Sequence, residues 1–174
     1  MIRAIRAAGP MDTPLPPLKP EFLAMLVKGV SLMLSSCDHA LNPSVMRAVG
    51  SRIDDGGRRI TAYLGRSQSR QLLADIAATG RLAAVFSQPS THLTLQLKSR
   101  RVRIREARAD DRPYLQSYLR SMEQEVAAVG FAPVYAQALL AYAPDDLVAV
   151  EFEPEEAYDQ TPGSKAGSPL RSAP

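Results

Sequence analysis

The sequence contains no tryptophan, one cysteine and only two histidines among its 174 residues. The single cysteine, Cys37, excludes a disulfide within the chain, and with His39 and His92 it supplies too few soft ligands for a structural zinc site. No apolar run approaches the roughly 20 residues of a membrane-spanning helix. The basic N-terminus is followed by prolines rather than by the apolar core of a signal peptide. We therefore expect no metal and no membrane, with the cytoplasm as the default location.

What is present fits one globular domain. Hydrophobic residues make up 45% of the chain and charged residues 22%, with a formal net charge of +3, values close to those of average globular proteins. The small basic excess suits an anionic ligand such as a phosphate. It is too small, and too evenly spread, to indicate nucleic-acid binding.

The pattern of apolar residues predicts hairpin-linked strands with helices inserted between them. Residues 1–19 are rich in proline and read as an irregular tail. Strands are predicted at 29–36, 43–53, 59–65, 81–87, 93–107 and 147–153. The strand at 93–107 is long enough to bend or to contain a bulge. Helices are predicted at 21–28, 69–78, 111–129 and 134–141. Asp54 to Gly57 predicts a hairpin turn, and Gly80 a helix C-cap. This order indicates an α+β fold of antiparallel strands, which local patterning alone does not show to close into a barrel.

A cationic cluster on the second and third predicted strands is the first candidate site. Arg47 and Arg52 are five residues apart, which puts them on opposite faces of a regular strand. A bulge near Gly50 would return them to a common face. The alternative is a solvated hairpin edge that uses charge against aggregation.

The turn from Gly65 to Gln71 is the second candidate. Its hydroxyls, its two guanidiniums and the free N–H groups of a helix start are the groups that hold a phosphate dianion. The alternative is a plain N-cap, in which Ser67 or Ser69 closes the helix and the arginines point into water.

A polar stripe around residue 94 is the third candidate. His92, Thr94 and Gln96 alternate with leucines, so one face of the predicted strand is polar. Such a stripe either reads the edge of a heterocycle or forms the wet face of an antiparallel strand. The acidic residues form no convincing pair, so hydrolysis by two carboxylates is a poor fit.

The order of these pieces resembles that of the pyridoxamine 5′-phosphate oxidase-like flavoproteins. The resemblance covers about residues 20–155. It is carried by five short segments, 44–52, 61–64, 69–71, 85–88 and 94–96.

The resemblance implies a split β-barrel that binds FMN in a groove between two identical chains. Arg47 and Arg52 would approach the phosphate or the ribityl chain of the flavin. Ser69 and Arg70 would hold the phosphate, with Gln71 in place of a lysine that is often found next in the family.

For the flavin ring, the resemblance implies contacts from two other strands. Val49 and the neighbouring backbone would lie along the isoalloxazine edge. Thr94 or Gln96 would supply a side-chain hydrogen bond to the ring system.

The C-terminal part departs from the family pattern. The oxidases that act on vitamin B6 carry a tryptophan and an arginine-containing substrate motif there, and this chain has neither. We therefore expect a split-barrel domain at 20–157 and an extension at 158–174, of which residues 158–167 are hypothesised to cover the flavin pocket. The predicted function is that of an FMN-dependent oxidoreductase with an unassigned small-molecule substrate. The alternative is a non-catalytic module that binds flavin or haem.

Overall fold

The computed structural model describes residues 18–170, so the predicted tail lies outside the described residues up to position 17. The helices are α1 (Pro20–Lys28), α2 (Arg70–Thr79), α3 (Arg112–Ala128) and α4 (Val134–Leu139). The strands are β1 (Ser31–Cys37), β2 (Pro43–Arg47), β3 (Gly50–Asp54), β4 (Arg59–Gly65), β5 (Leu82–Ser87), β6 (Thr94–Ser99), β7 (Arg101–Glu106), β8 (Leu147–Glu153), β9 (Glu156–Asp159) and β10 (Ser168–Pro169).

The strands form two antiparallel sheets that share continuous stretches of chain. The six-stranded sheet has the order β10-β9-β6-β5-β1-β2, and the four-stranded sheet has the order β3-β4-β8-β7. Because β2 leads directly into β3 and β6 into β7, the strand pairings run around a ring that is divided between the two sheets. This is a split barrel with inserted helices, and the predicted α+β class is confirmed.

Two strands that the sequence predicts as continuous change sheet partway. The amide of Ala48 donates to the Leu32 carbonyl at 2.9 Å, whereas the amide of Val49 donates to the Tyr63 carbonyl at 2.8 Å. The predicted strand 93–107 breaks at Arg100 in the same way, between β6 and β7. The division at Arg100 agrees with the bend expected in that long strand. The prediction of one strand at 43–53 was wrong, because the choice of hydrogen-bonding partner is a long-range property that local alternation does not contain.

The core lies between the sheets. Alternate residues of the barrel strands point inward, among them Leu32, Leu34, Ala84, Phe86 and Leu97. Helices α1 and α2 add apolar side chains to the same cluster, namely Phe22, Met25, Leu26, Leu72 and Ile76. The outward-pointing residues are therefore free to form sites on the two outer sheet faces.

Two predicted turns are confirmed by left-handed backbone angles. Gly56 and Gly57 have φ of 63° and 90° in the β3–β4 hairpin. Gly80 has φ of 66° and ends α2, with its amide bonded to the Ile76 carbonyl. Such angles are readily adopted only by glycine, which explains why the sequence signals were strong here.

The predicted boundary at residue 157 falls inside β9, so residues 158–170 continue the six-stranded sheet. The Leu170 amide donates to the Ala157 carbonyl at 2.8 Å, which holds the end of this segment against β9. None of the helices formed by residues 18–170 combines the length and the apolarity that a bilayer crossing requires.

Candidate functional site

The outer face of the six-stranded sheet, here called the outer sheet face, carries three of the predicted site residues. Strand register aligns Arg47, Met33, Val85, Gln96 and Tyr158 in one row across five strands. Thr94 lies two residues from Gln96 on the same side of β6. At the usual spacing of neighbouring strands the row is about 19 Å long.

The centre of this face carries no charge. Neither β1 nor β5 contains a charged residue, and their outward side chains are partly exposed. At the edge, Arg47 Nη1 donates to the Ser31 hydroxyl at 2.7 Å, so the cation is held against the sheet. An uncharged, partly exposed surface with a fixed cation at one edge suits a flat ligand that carries one anionic group.

Thr94 and Gln96 are both hydrogen-bonded to neighbouring side chains. The hydroxyl of Thr94 lies 2.9 Å from the hydroxyl of Ser87 and donates to the His92 carbonyl. The Oε1 atom of Gln96 accepts from Gln160 Nε2 at 3.2 Å. The C-terminal extension therefore lies directly beside the stripe that was predicted to contact the ring.

Ser69 occupies the N-cap position of α2 without capping it. Its side chain makes no cap hydrogen bond, and the residue is only 1% exposed. Among residues 18–170 its buried hydroxyl has no hydrogen-bond partner. For Ser69, the alternative of an ordinary N-cap was wrong, because its hydroxyl does not bond to the amides of the first turn. An unpaired buried hydroxyl next to the exposed Arg70 fits a group that binds an anion.

Ser67 is already bonded to an acidic residue of the chain itself. Its amide and hydroxyl donate to the Asp146 carboxylate at 3.0 and 2.6 Å. The neighbouring Arg66 forms an ion pair with Glu106. The first half of the predicted phosphate turn is therefore neutralised internally, and only its second half, Ser69 and Arg70, remains for an external anion.

Helix α2 lies against β1 and β2. Thr79 donates at 3.2 Å to the carbonyl of Cys37, the last residue of β1, and Ser44 on β2 donates to Asp75 at 2.5 Å. These bonds join the middle and the end of α2 to β1 and β2. Among the described residues, no side-chain hydrogen bond joins the first turn of α2 to Arg47. Gln71 donates to Asp75 at 2.8 Å.

Val49 and Arg52 lie in other surroundings. Val49 is buried with Tyr63 and Leu115 beneath α3. Arg52 belongs to the four-stranded sheet, where its Nε donates to Asp54 at 2.9 Å and its guanidinium stacks 4.6 Å from the centre of the Tyr114 ring. The structure does not bring Arg52 together with Arg47, since the chain changes sheet between them.

A buried ionic network around Asp111 was missed by the sequence reasoning, which assigned this residue only to a helix start. Its carboxylate accepts from Arg105 at 2.7 Å, from the Tyr63 hydroxyl at 2.7 Å and from the Arg108 amide at 2.8 Å. Burial opposes ionisation, but these donors outweigh it and lower the pKa of Asp111 to about 2. The alternation of Arg101, Arg103 and Arg105 with apolar residues was the available signal for outward cations on this strand.

A second missed residue is Glu125 on α3, whose side chain is 1% exposed. It pairs with Lys28 and accepts from Gln88 Nε2 at 2.9 Å and from the Ser90 amide at 3.0 Å. Burial alone would raise the pKa of Glu125, but the hydrogen bonds from these donors have the larger opposite effect and lower the pKa to about 2. Within residues 18–170, no three histidine, cysteine or acidic side chains are grouped so as to hold a metal ion.

Comparison with known proteins identifies the fold. The sequence matches no protein-family model, and no curated protein matches it significantly. A putative pyridoxamine 5′-phosphate oxidase from Lactobacillus delbrueckii superposes with a TM-score of 0.52 at 15% identity, covering 82% of this chain and 93% of that one. HupZ from Group A Streptococcus gives a TM-score of 0.52 at 13% identity, covering 86% and 100%. A structure described as F420 reductase gives 0.50 at 15% identity, covering 77% and 93%. The predicted resemblance is thereby confirmed for the fold, which is that of the pyridoxamine 5′-phosphate oxidase-like proteins.

Proposed function

We propose that this chain, with its pyridoxamine 5′-phosphate oxidase-like split barrel, binds FMN on the outer sheet face and acts as a flavin-dependent oxidoreductase. The observation that carries the proposal is the uncharged centre of this face, formed by β1 and β5, with Arg47 held at its edge by Ser31. We propose that the unpaired Ser69 hydroxyl and Arg70, at the start of α2, complete the anion site.

The residues present fit the two parts of FMN unequally well. Arg47, Ser69 and Arg70 would hold the phosphate, because a guanidinium and a helix start together favour a dianion. Thr94 and Gln96 would orient the ring from β6. Gln71 supplies no charge in place of a lysine, and Arg52 is paired with Asp54, so we expect both to contribute less.

Bound FMN would supply the electron transfer. The protein would contribute position and electrostatics. Arg47 and Arg70 would offset the phosphate charge, and the apolar residues Met33 and Val85 would exclude water from the ring.

A second copy of the chain would complete the groove. The outward side chains of β1 and β5 stay partly exposed, and the edge residue Val45 is 60% exposed. A face whose central strands carry no charge is a candidate for contact with another protein surface. We therefore propose a homodimer that pairs through the outer sheet face.

The cofactor is tested by the visible spectrum of the purified protein and by fluorescence titration with FMN. Riboflavin, which lacks the phosphate, is the matched control and should bind more weakly. F420 and haem are the competing ligands, the former because of the likeness to F420 reductase. Tighter binding of either would overturn the FMN assignment.

Catalysis is tested separately, by oxidation of reduced nicotinamide with oxygen or a dye as acceptor. A protein that holds FMN but shows no turnover would be the non-catalytic module. Cytoplasmic location stays a prediction.

The dimer is tested with two valines of similar exposure. Val45 lies on the outer sheet face, whereas Val27, 66% exposed, lies on α1. Light scattering should show that Val45→Glu shifts the protein towards monomer and that Val27→Glu does not. A wild-type protein that is monomeric at micromolar concentration with FMN present would refute the proposed groove.

A further inference from the structure

The outer face of the four-stranded sheet contains a cleft that the proposed flavin site does not use. Its volume is about 590 Å³, within the usual range for small-molecule sites. Five arginines line it together with three acidic residues: Arg52, Arg59, Arg100, Arg101, Arg103, Asp54, Glu151 and Glu153. We call it the arginine cleft.

All three acidic residues are already paired with cations. Asp54 binds Arg52 at 2.8 Å, and Glu153 lies 3.7 Å from Arg101. Glu151 pairs with Arg105.

Three arginines of the arginine cleft are left over from this pairing. Among residues 18–170, no acidic side chain pairs with the guanidinium of Arg59, Arg100 or Arg103. Like charges that converge on one concave surface repel one another and concentrate anions there.

From this excess of cations we infer that the arginine cleft binds a small molecule carrying two or more phosphoryl groups. Arginine recognises phosphoryl oxygens through two parallel hydrogen bonds, which favours phosphate over a diffuse counter-ion. The site is separate from flavin binding, since the outer sheet face belongs to the other sheet.

The spacing of the unpaired arginines argues for more than one phosphoryl group. Arg59 lies on β4 and Arg103 on β7, two strands apart. Continuing the register of β4 with β8 places Arg59 opposite Glu153, and Glu153 is opposite Arg101 on β7. Arg103 is therefore offset from Arg59 by two residues along the strands. Their Cα atoms are thus separated by about 10 Å across the sheet and about 7 Å along it. A diphosphate or triphosphate spans such a gap better than one orthophosphate.

The test is calorimetric titration of the full chain with inorganic tripolyphosphate at low ionic strength. Pyrophosphate, orthophosphate and citrate serve as comparison ligands. The variant Arg59→Gln/Arg103→Gln removes two unpaired cations of the cleft. Arg58→Gln/Arg120→Gln removes two exposed cations elsewhere and changes the net charge equally.

We expect the cleft variant to lose about tenfold or more in tripolyphosphate affinity, and the control variant about twofold or less. FMN titration should be unchanged in both, so a failure here is distinguishable from a failure of the flavin proposal. Equal losses in the two variants, or citrate binding as tightly as tripolyphosphate, would overturn the inference. So would tighter binding of a short single-stranded oligonucleotide with the same dependence on Arg59 and Arg103.

Discussion

The two outer faces of the barrel use the same alternation of residues for opposite purposes. On the six-stranded sheet, the central strands β1 and β5 carry no charge and their outward side chains stay partly exposed. On the four-stranded sheet, every strand carries outward charges, and α3 covers part of the face with Leu115 against Tyr63. The comparison teaches that the four-stranded face is partly covered by the chain's own helix and is rich in charges, some of them paired with each other and some left in the arginine cleft. The centre of the six-stranded face has no charge, and it is there that we propose the flavin and the second copy bind.

Asp111 provides the strongest test of the idea that ion pairs within the chain stabilise the four-stranded sheet. Asp111→Ala leaves Arg105, whose side chain is 10% exposed, without its main partner. We expect urea denaturation to show a loss of about 3–5 kcal/mol in unfolding free energy, because removing one member of a buried ion pair leaves the other charge buried without a partner.

The adjacent Asp110 is exposed and is the matched control for Asp111. Asp110→Ala should change the unfolding free energy by less than about 0.5 kcal/mol. Similar effects for the two substitutions would mean that the buried network contributes nothing specific to this face.

Glu125 tests how the two faces are joined, because it lies on α3 and binds the loop that connects β5 to β6. Its folded pKa of about 2 is below the ordinary value of 4.5. Its stabilising contribution is therefore complete above about pH 4.5 and is lost as the pH falls towards 2.

In urea denaturation between pH 5 and pH 2, wild type should lose about 3 kcal/mol more than Glu125→Gln. Glu123→Gln on the same helix, where Glu123 is partly exposed and accepts only from Gln137 on α4, should follow the wild-type curve. If Glu125→Gln shows the full wild-type pH dependence, the carboxylate does not hold the loop.

Substituting one exposed arginine from each region tests which of them holds the flavin phosphate. Arg70→Ala should weaken FMN binding by about 1.5–3 kcal/mol in a fluorescence titration, because it removes a charged hydrogen bond to phosphate. Arg101, which is 53% exposed and pairs with Glu153 on the four-stranded sheet, is the control. Equal losses for Arg70→Ala and Arg101→Ala would refute the phosphate assignment at α2.

The smallest expected effect concerns the C-terminal extension. Gln160→Ala removes the hydrogen bond to Gln96 and should weaken FMN binding by less than about 1 kcal/mol. The substitution tests the hypothesis that residues 158–167 cover the pocket without removing the pairing of β9 with β6. Gln137→Ala on α4 is the control. If the two variants bind FMN with the same affinity, the segment does not contribute to the flavin pocket.

Local signals predicted most elements of the fold but not their partners. The glycine turns and the amphipathic helix α3 follow from backbone freedom and periodicity, which are properties of neighbouring residues. The sheet changes at Ala48 and Arg100 depend on which distant strand supplies the next carbonyl, so the sequence showed two long strands instead of four.

The candidate site was predictable to a similar extent. The sequence predicted Arg47 in a cationic cluster on a strand, and alternation predicted Thr94 and Gln96 on the polar face of another. In the structure the three residues share the outer sheet face. The unpaired state of Ser69 and the use of Ser67 by Asp146 could not be read from the sequence, because residues 67 and 146 are far apart in the chain. Whether the predicted site residues hold FMN stays a prediction.

The two sheet-changing strands make the barrel one mechanical unit. Amides of β2 and β3 are bonded to different sheets although they are only a few residues apart, and the same holds for β6 and β7. Neither sheet can detach without pulling a strand out of the other. In hydrogen exchange, the central amides of β1 and β8 should therefore be released in a single opening event, with equal free energies and equal dependence on denaturant.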